Sequence, residues 1–263
     1  MNAKNVLAME EYANEMGVHL DNLRKTGLFC DVQILLRAEN RRFHVHRNIL
    51  ASCSRYFRSL FTSVMAGSGQ IEVEIPGVTS TDMEAIVQYA YLQQAHLTPE
   101  NIESVMVTAD RLNVLGLLKQ CCDFLEEHLC YENAVGILKI ARYLHCRQLE
   151  RKALRFLLVN FTDIMTKSAE FQLLTVEELA ALFKSDELNV RHEDIACQAM
   201  LQWVAFRPET RAAGYPRLLC ALRLGLVSRK LLEENVLNNQ LLMQDPTARD
   251  LAQKGLPRVP LDA

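Results

Sequence analysis

Two architectures joined end to end are predicted for these 263 residues. The first is an α/β unit, a small sheet wrapped by helices, and the second is an all-α half. Three observations predict this. Between Phe29 and Phe61 two alternating apolar runs, joined by a short charged turn, feed into a compact helical pattern. From Tyr131 onward the strand signals stop and only helical periodicities remain. The chain is also too long for one small module and suits two domains. The boundaries read as 1–130 for the α/β domain with its amino-terminal helix, 131–255 for the helical domain and 256–263 for a tail.

Each element of the first half has its own signal. Met9, Tyr12, Met16, Leu20 and Leu23 are spaced by three or four, the stripe of an amphipathic helix. Gly27 follows as its C-cap. Val32, Ile34 and Leu36 alternate, as do Phe43 and Val45, which predicts a half-buried hairpin. Ile49 and Leu50, then Tyr56, Phe57, Leu60 and Phe61, repeat at helical spacing, with Ser54 placed to cap the second of two helices. Ile71, Val73 and Ile75 predict a third strand that Pro76-Gly77 ends. Thr81 and Glu84 have capping-box spacing ahead of Met83, Ile86, Val87 and Tyr91. Thr98-Pro99 marks the start of a helix carrying Ile102, Val105, Ala109 and Leu112. A break near Asn113 precedes a last helix with Leu115, Leu118, Cys122, Leu125 and Leu129.

The second half reads as helices throughout. Val135 and Leu138 lead to Arg142-Tyr143-Leu144, and Leu149, Ala153, Phe156, Leu157 and Phe161 form the next stripe. Thr175 and Glu178 repeat the capping-box spacing. Ile195, Ala199 and Trp203 are spaced by four, with Arg207-Pro208 as the stop. Leu218, Leu222 and Leu231 continue the pattern, and QKGLPRVPLDA reads as a frayed linker.

Composition narrows the function. Hydrophobic residues make up 49%, enough for packed cores. Lysine and arginine total 29 against 32 acids, a net charge of -3, so neither nucleic acid nor a membrane is expected as partner. The longest apolar runs are too short to cross a bilayer, and the amino terminus lacks the apolar core of a secretory signal. Eight cysteines stand at 30, 53, 121, 122, 130, 146, 197 and 220 with no C-x-x-C pair. They are expected to be reduced, mostly buried thiols rather than disulfides or zinc ligands. No cofactor is expected. Gly67-Ser68-Gly69 lacks the lysine and glycine spacing of a nucleotide loop, and no G-x-S-x-G elbow or H-E-x-x-H helix occurs. His44 and His46 alternate on a strand and should point the same way. The chain is not expected to be an enzyme.

Three motifs give a sharper reading. Cys30-Asp31-Val32, the F-x-x-H-R-x-x-L step from Phe43 to Leu50, and S-x-Y-F-x-x-L-F from Ser54 to Phe61 occur in order. The segment resembles the core of a BTB (POZ) domain. The second half, through CCDFLEEHL, SAEFQLLTVEEL and SDELNVRHEDIACQAMLQWV, resembles the BACK domain of kelch-like proteins. Together the two resemblances cover nearly the whole chain. They imply a homodimer, with Met16, Leu20, Leu23, Leu28, Asp31 and Val32 at the interface. They also imply a buried charged pair of Asp31 with Arg47, beneath a shallow pocket near that interface.

The same resemblance implies a substrate adaptor that binds cullin-3 in a ubiquitin ligase. Its docking loop in the family carries a hydrophobic residue, any residue and then glutamate. Here that triplet falls at Met65-Ala66-Gly67, with glycine in place of the acid. Further cullin contacts are implied at Leu112, Asn113, Val114 and Tyr131, the last within a helix pair from Tyr131 to Phe161. In the family a kelch propeller receives the protein substrate; glycine-rich repeats of that kind are missing here, where glycines total 10. A cytoplasmic or nuclear location fits this reading. The alternative is a self-associating scaffold or transcriptional regulator with no ligase role.

Overall fold

Burial of alternate side chains sets the sheet. Val32 and Ile34 on β1 (Val32–Leu36) are buried, as are Phe43 and Val45 on β2 (Arg41–Val45) and Val73 on β3 (Ile71–Glu74). These are the residues that the register aligns: Ile34 lies opposite Phe43 on one side and Val73 on the other. β1 is central, antiparallel to β2 and parallel to β3. A 3₁₀ turn at Arg37–Glu39 joins the hairpin, and Asn40, with φ of 50°, closes it in the left-handed region that asparagine tolerates. On the other face Arg42 and Glu72, from the two outer strands, meet across β1 at 3.2 Å. That bridge helps explain why Leu35 is buried on the polar face.

These facts come from a computed structural model that describes residues 3–63, 71–239 and 245–255. The chain divides into two units, Met1–Glu127 and His128–Ala263. In the first, α1 (Ala3–Lys25) ends as the sequence predicts. Gly27 has φ of 73°, and the Leu28 amide returns to the Leu23 carbonyl at 2.9 Å. α1 packs against α4 (Ser80–Leu92) at Gly17, where a Cβ would lie 2.4 Å from the Tyr91 carbonyl oxygen. Only glycine allows that approach.

Between the strands run α2 (Arg47–Cys53) and α3 (Arg55–Ser63), with Ser54 at their junction. Its hydroxyl accepts from the Phe57 amide at 3.1 Å, as expected of a cap, and also donates to the Leu112 carbonyl at 2.6 Å. The cap of α4 differs from the sequence expectation. Thr79, not Thr81, accepts from the Asp82 amide, because the chain leaves the Pro76-Gly77 turn into a helix that starts at Ser80. Asp82 is buried and accepts from the hydroxyls of Ser104 and Thr108, which ties α4 to α5 (Ile102–Arg111). α5 itself begins later than Thr98-Pro99. Asn101 accepts from the Thr98 amide and donates to the His96 carbonyl, holding one non-helical turn ahead of it. α6 (Leu115–Glu127) completes the unit.

The second unit contains α7 (Ala134–Tyr143), α8 (Arg147–Val159), α9 (Phe161–Lys167), α10 (Val176–Lys184) and α11 (Glu193–Phe206). α12 (Pro208–Arg211), α13 (Tyr215–Ala221), α14 (Arg229–Leu231) and α15 (Pro246–Gly255) follow. Thr175 and Glu178 form the predicted capping box, and Pro208 opens α12 immediately after α11 stops. Trp203 donates to the Leu174 carbonyl, and the buried Arg211 stacks 4.0 Å above its ring.

The hairpins α5–α6 and α7–α8 share one plan. Residues 96–115 and 128–147 align without a gap, with His, Leu, Glu, Asn, Ala and Leu at equivalent places. Asn133 repeats the bonds of Asn101, accepting from the Cys130 amide and donating to the His128 carbonyl. Hydrogen bonds from Thr98 and from Cys130 hold the Glu100 and Glu132 carboxyls below their usual range. Each hairpin turns at a left-handed residue, Asn113 or His145.

Ser54→Ala removes the α3 cap and leaves the Leu112 carbonyl without this donor. A loss of about 2–3 kcal/mol is expected in urea denaturation of the whole chain, above the ~1 kcal/mol of a cap alone.

Candidate interaction surface

The apolar stripe on α1 does not sink into its own unit. Tyr12 and Met16 are exposed, Leu20 and Leu23 half-buried, and the side chain of Met9 lies outside the described residues. Leu28 is 53% exposed and Phe29 81%. Phe29 was not among the residues that the sequence singled out. Its φ of 59° swings it outward, and no periodicity reports such a turn. Val32, by contrast, is fully buried beneath the sheet, so its side chain cannot face a partner.

Leu20, Leu23, Phe29, Asp31, Arg47 and Ile49 line a concavity of about 480 Å³ beside this stripe. At its base His46 is buried, whereas His44 is exposed. The expectation that both point the same way fails because β2 ends at Val45 and His46 already turns into α2. The His46 amide donates to the Tyr91 hydroxyl at 2.8 Å, and that hydroxyl lies 2.7 Å from Nδ1. Nε2–H donates to the Leu28 carbonyl at 2.9 Å, which assigns the proton to Nε2 and leaves Nδ1 to accept from Tyr91. Burial pushes the Tyr91 phenol well above its ordinary value. Arg24 lies over the Tyr91 ring. The Asp21 carboxyl is raised by burial, but hydrogen bonds from Lys25 and Arg24 outweigh this and hold it below the usual range.

Asp31 and Arg47 do meet. Oδ1 accepts from the Arg47 amide at 2.8 Å, and Oδ2 lies 3.2 Å from Nε in an ion pair. The pair is half-buried rather than fully buried. The two side chains keep 42% and 35% of their exposure, because they form the lip of the concavity. Their Coulomb energy is therefore that of a surface pair.

Cys30 Sγ lies 3.8 Å from His46 Nε2. This is not an activated nucleophile. The nitrogen already donates its proton to Leu28, and burial raises the thiol above its ordinary value. Among the described residues no group of three or more His, Cys, Asp or Glu side chains could hold a metal, and no helix is long and apolar enough to cross a membrane.

The other predicted contact residues are scattered. Met65 and Gly67 lie outside the described residues. Leu112 and Val114 are buried, because the turn folds both inward to close the hairpin; Asn113 is half-buried and Leu115 is exposed. Sequence periodicity could not separate the core face of this turn from the outer one. Tyr131, in the other unit, is half-buried against Phe156, with Lys167 over its ring.

Matches to two family models agree with this division of the chain. Residues 20–129 match the model of the BTB/POZ domain, and residues 134–237 match that of the domain described as BTB And C-terminal Kelch. Kelch-like protein 17 of Mus musculus and that of Rattus norvegicus are each 33% identical over 239 residues, 91% of this chain. The chain spans 37% of the length of either relative. Among solved structures, the BTB domain of zebrafish PATZ1 aligns with a TM-score of 0.39 at 26% identity, covering 44% of this chain and 93% of that one.

Two outcomes are expected from the site. Arg47→Ala should cost about 0.5 kcal/mol in urea denaturation. Asp31→Ala should cost about 1–1.5 kcal/mol, because it also removes the acceptor of a helix-start amide. Equal losses would contradict the geometry. Iodoacetamide labelling should show Cys30 reacting no faster than an ordinary thiol at any pH up to about 8.5. Exposed Cys220 should label first, and Cys53, its thiol pushed up to about 11 by burial, should need strongly alkaline pH.

Proposed function

We propose that this chain, a member of the kelch-like BTB–BACK family, is a non-catalytic adaptor that dimerises through α1 and binds cullin-3. The observation that carries the reading is the set of large apolar side chains left open to solvent on and just after α1, namely Tyr12, Met16, Leu28 and Phe29, the last of which lines the Asp31–Arg47 concavity with Leu20 and Leu23. A folded unit rarely leaves so many large apolar side chains uncovered, and a two-fold dimer would set the same residues of a second copy against them. An obligate interface of this kind buries more than about 2,000 Å². The helical second unit then spaces out the substrate receptor that longer family members carry.

Cullin docking rests on the family loop, here Met65-Ala66-Gly67. Glycine supplies neither charge nor side chain, so binding leans on Met65, a flexible apolar anchor. Exposed Leu115 is a better candidate for a nearby contact than its buried neighbours Leu112 and Val114. The same glycine favours a second reading, a self-associating scaffold without a ligase.

Light scattering at micromolar concentration should give twice the chain mass, and Leu20→Asp with Leu23→Asp should yield monomers or aggregates. A monomeric wild type would remove the dimer. Calorimetry with the amino-terminal part of cullin-3 decides between the two readings. Gly67→Glu should tighten binding by about 1 kcal/mol, and Met65→Ala should weaken it by about 2 kcal/mol. Absence of binding by all three proteins would favour the scaffold.

A further inference from the structure

One buried cation in the second unit has no acid to balance it. Arg211, at the end of α12, donates to neutral oxygens: Nη1 to Gln172 Oε1 at 2.8 Å and to the Trp203 carbonyl at 2.6 Å, and Nη2 to the Gln172 carbonyl. Its guanidinium lies over the rings of Trp203 and Phe206, 4.0 and 5.2 Å from their centroids. Arg207 lies 5.4 Å from the same Phe206 centroid, so two guanidinium groups share one phenyl ring. Neither forms an ion pair among the described residues, although Glu209 stands between them in the chain. Burial and the charge of Arg207 lower the Arg211 guanidinium from its ordinary value. Carbonyl oxygens satisfy its hydrogen bonds but do not neutralise it, and like charges this close repel.

The apolar groups beside these charges are open to solvent. Phe206 on α11, and Leu173 at the end of the 3₁₀ turn Ala169–Leu173, are both more than half exposed. Both are also held in place. The carbonyls of Gln172, Leu173 and Leu174 accept from Arg211, Lys139 and Trp203 in turn, which pins the backbone with the Leu173 side chain outward. Phe206 sits against its two arginines, and Pro208 stiffens the chain just beyond. Fixed aromatic and arginine side chains are what the centre of a protein interface uses, and the element missing here is a negative charge. We propose that Leu173, Phe206, Arg207 and Arg211 form a docking surface for a partner protein, which places a carboxylate on the arginines and packs an adjoining apolar side chain on Phe206 and Leu173. The carboxylate would relieve the repulsion between the guanidinium groups and accept from Arg207 in a bidentate geometry. A small ligand would stay mostly wet on so open a surface, whereas a protein partner excludes the water. The surface belongs to α11, α12 and the 3₁₀ turn, outside the helix pair from Tyr131 to Phe161, and its assignment rests on neither the dimer nor cullin binding.

Fluorescence anisotropy of the full chain with a short labelled peptide of glutamate, leucine and glycine tests it, in about 0.15 M salt to screen remote charges. Phe206→Ala and Arg207→Glu should each weaken binding about tenfold, the loss expected at a central contact. Arg191→Glu, the same charge change at another exposed arginine of this unit, should alter it by less than about twofold. Arg211 is left in place because its hydrogen bonds hold the fold. Arg207→Ala should leave the urea midpoint unchanged or raise it, since it removes a repulsion. A lowered midpoint would assign Arg207 to the fold and overturn the proposal, as would failure of the wild type to bind the peptide at about 1 mM. Equal binding of polyglutamate, or of the wild-type peptide by Phe206→Ala, would also sink it, because charge alone would then suffice.

Discussion

The first unit depends on the hydrogen bonds of one buried histidine. His46 stands where β2 becomes α2, and it reaches Tyr91 on α4 and the Leu28 carbonyl behind α1. Three segments distant in sequence are thus fixed by one ring with every polar atom in use. In a desolvated site an unmatched donor or acceptor costs about 1–3 kcal/mol, so none of the three can drift without leaving a partner stranded. The position of Phe29 follows from this. The Leu28 carbonyl is held inward and the next residue lies in the left-handed region, a conformation that costs about 1–2 kcal/mol for a residue with a Cβ. The outward phenyl ring is the result.

Much of the fold was readable because the signals were periodic. The alternation of Val32, Ile34, Phe43 and Val45, the cap at Ser54 and the box at Thr175 and Glu178 each depend on short-range rules that tertiary contacts did not override. The misreadings fell at junctions. Thr81 lost its cap role to Thr79, and His46 left the strand one residue before the alternation would have turned it outward. The Asp31–Arg47 pair was found by position but not by burial, since exposure depends on whether a neighbouring element covers the lip.

The surface was less legible than the core for a physical reason. A residue that faces a partner and one that faces its own core obey the same helical spacing. Met16 and Leu125 both sit on apolar stripes in the sequence, yet one is exposed and the other buried. Only the three-dimensional arrangement separates them.

The matching hairpins have a consequence for how the chain arose. Equal length, equal asparagine bonds and a left-handed residue at the same point are what tandem duplication of one helical pair would leave behind. Two copies of a unit diverge unevenly: positions that close the turn stay fixed by geometry, while outward positions are released to acquire new chemistry. Asn113 and His145 occupy the same strained corner, one in a residue type suited to it and one less so.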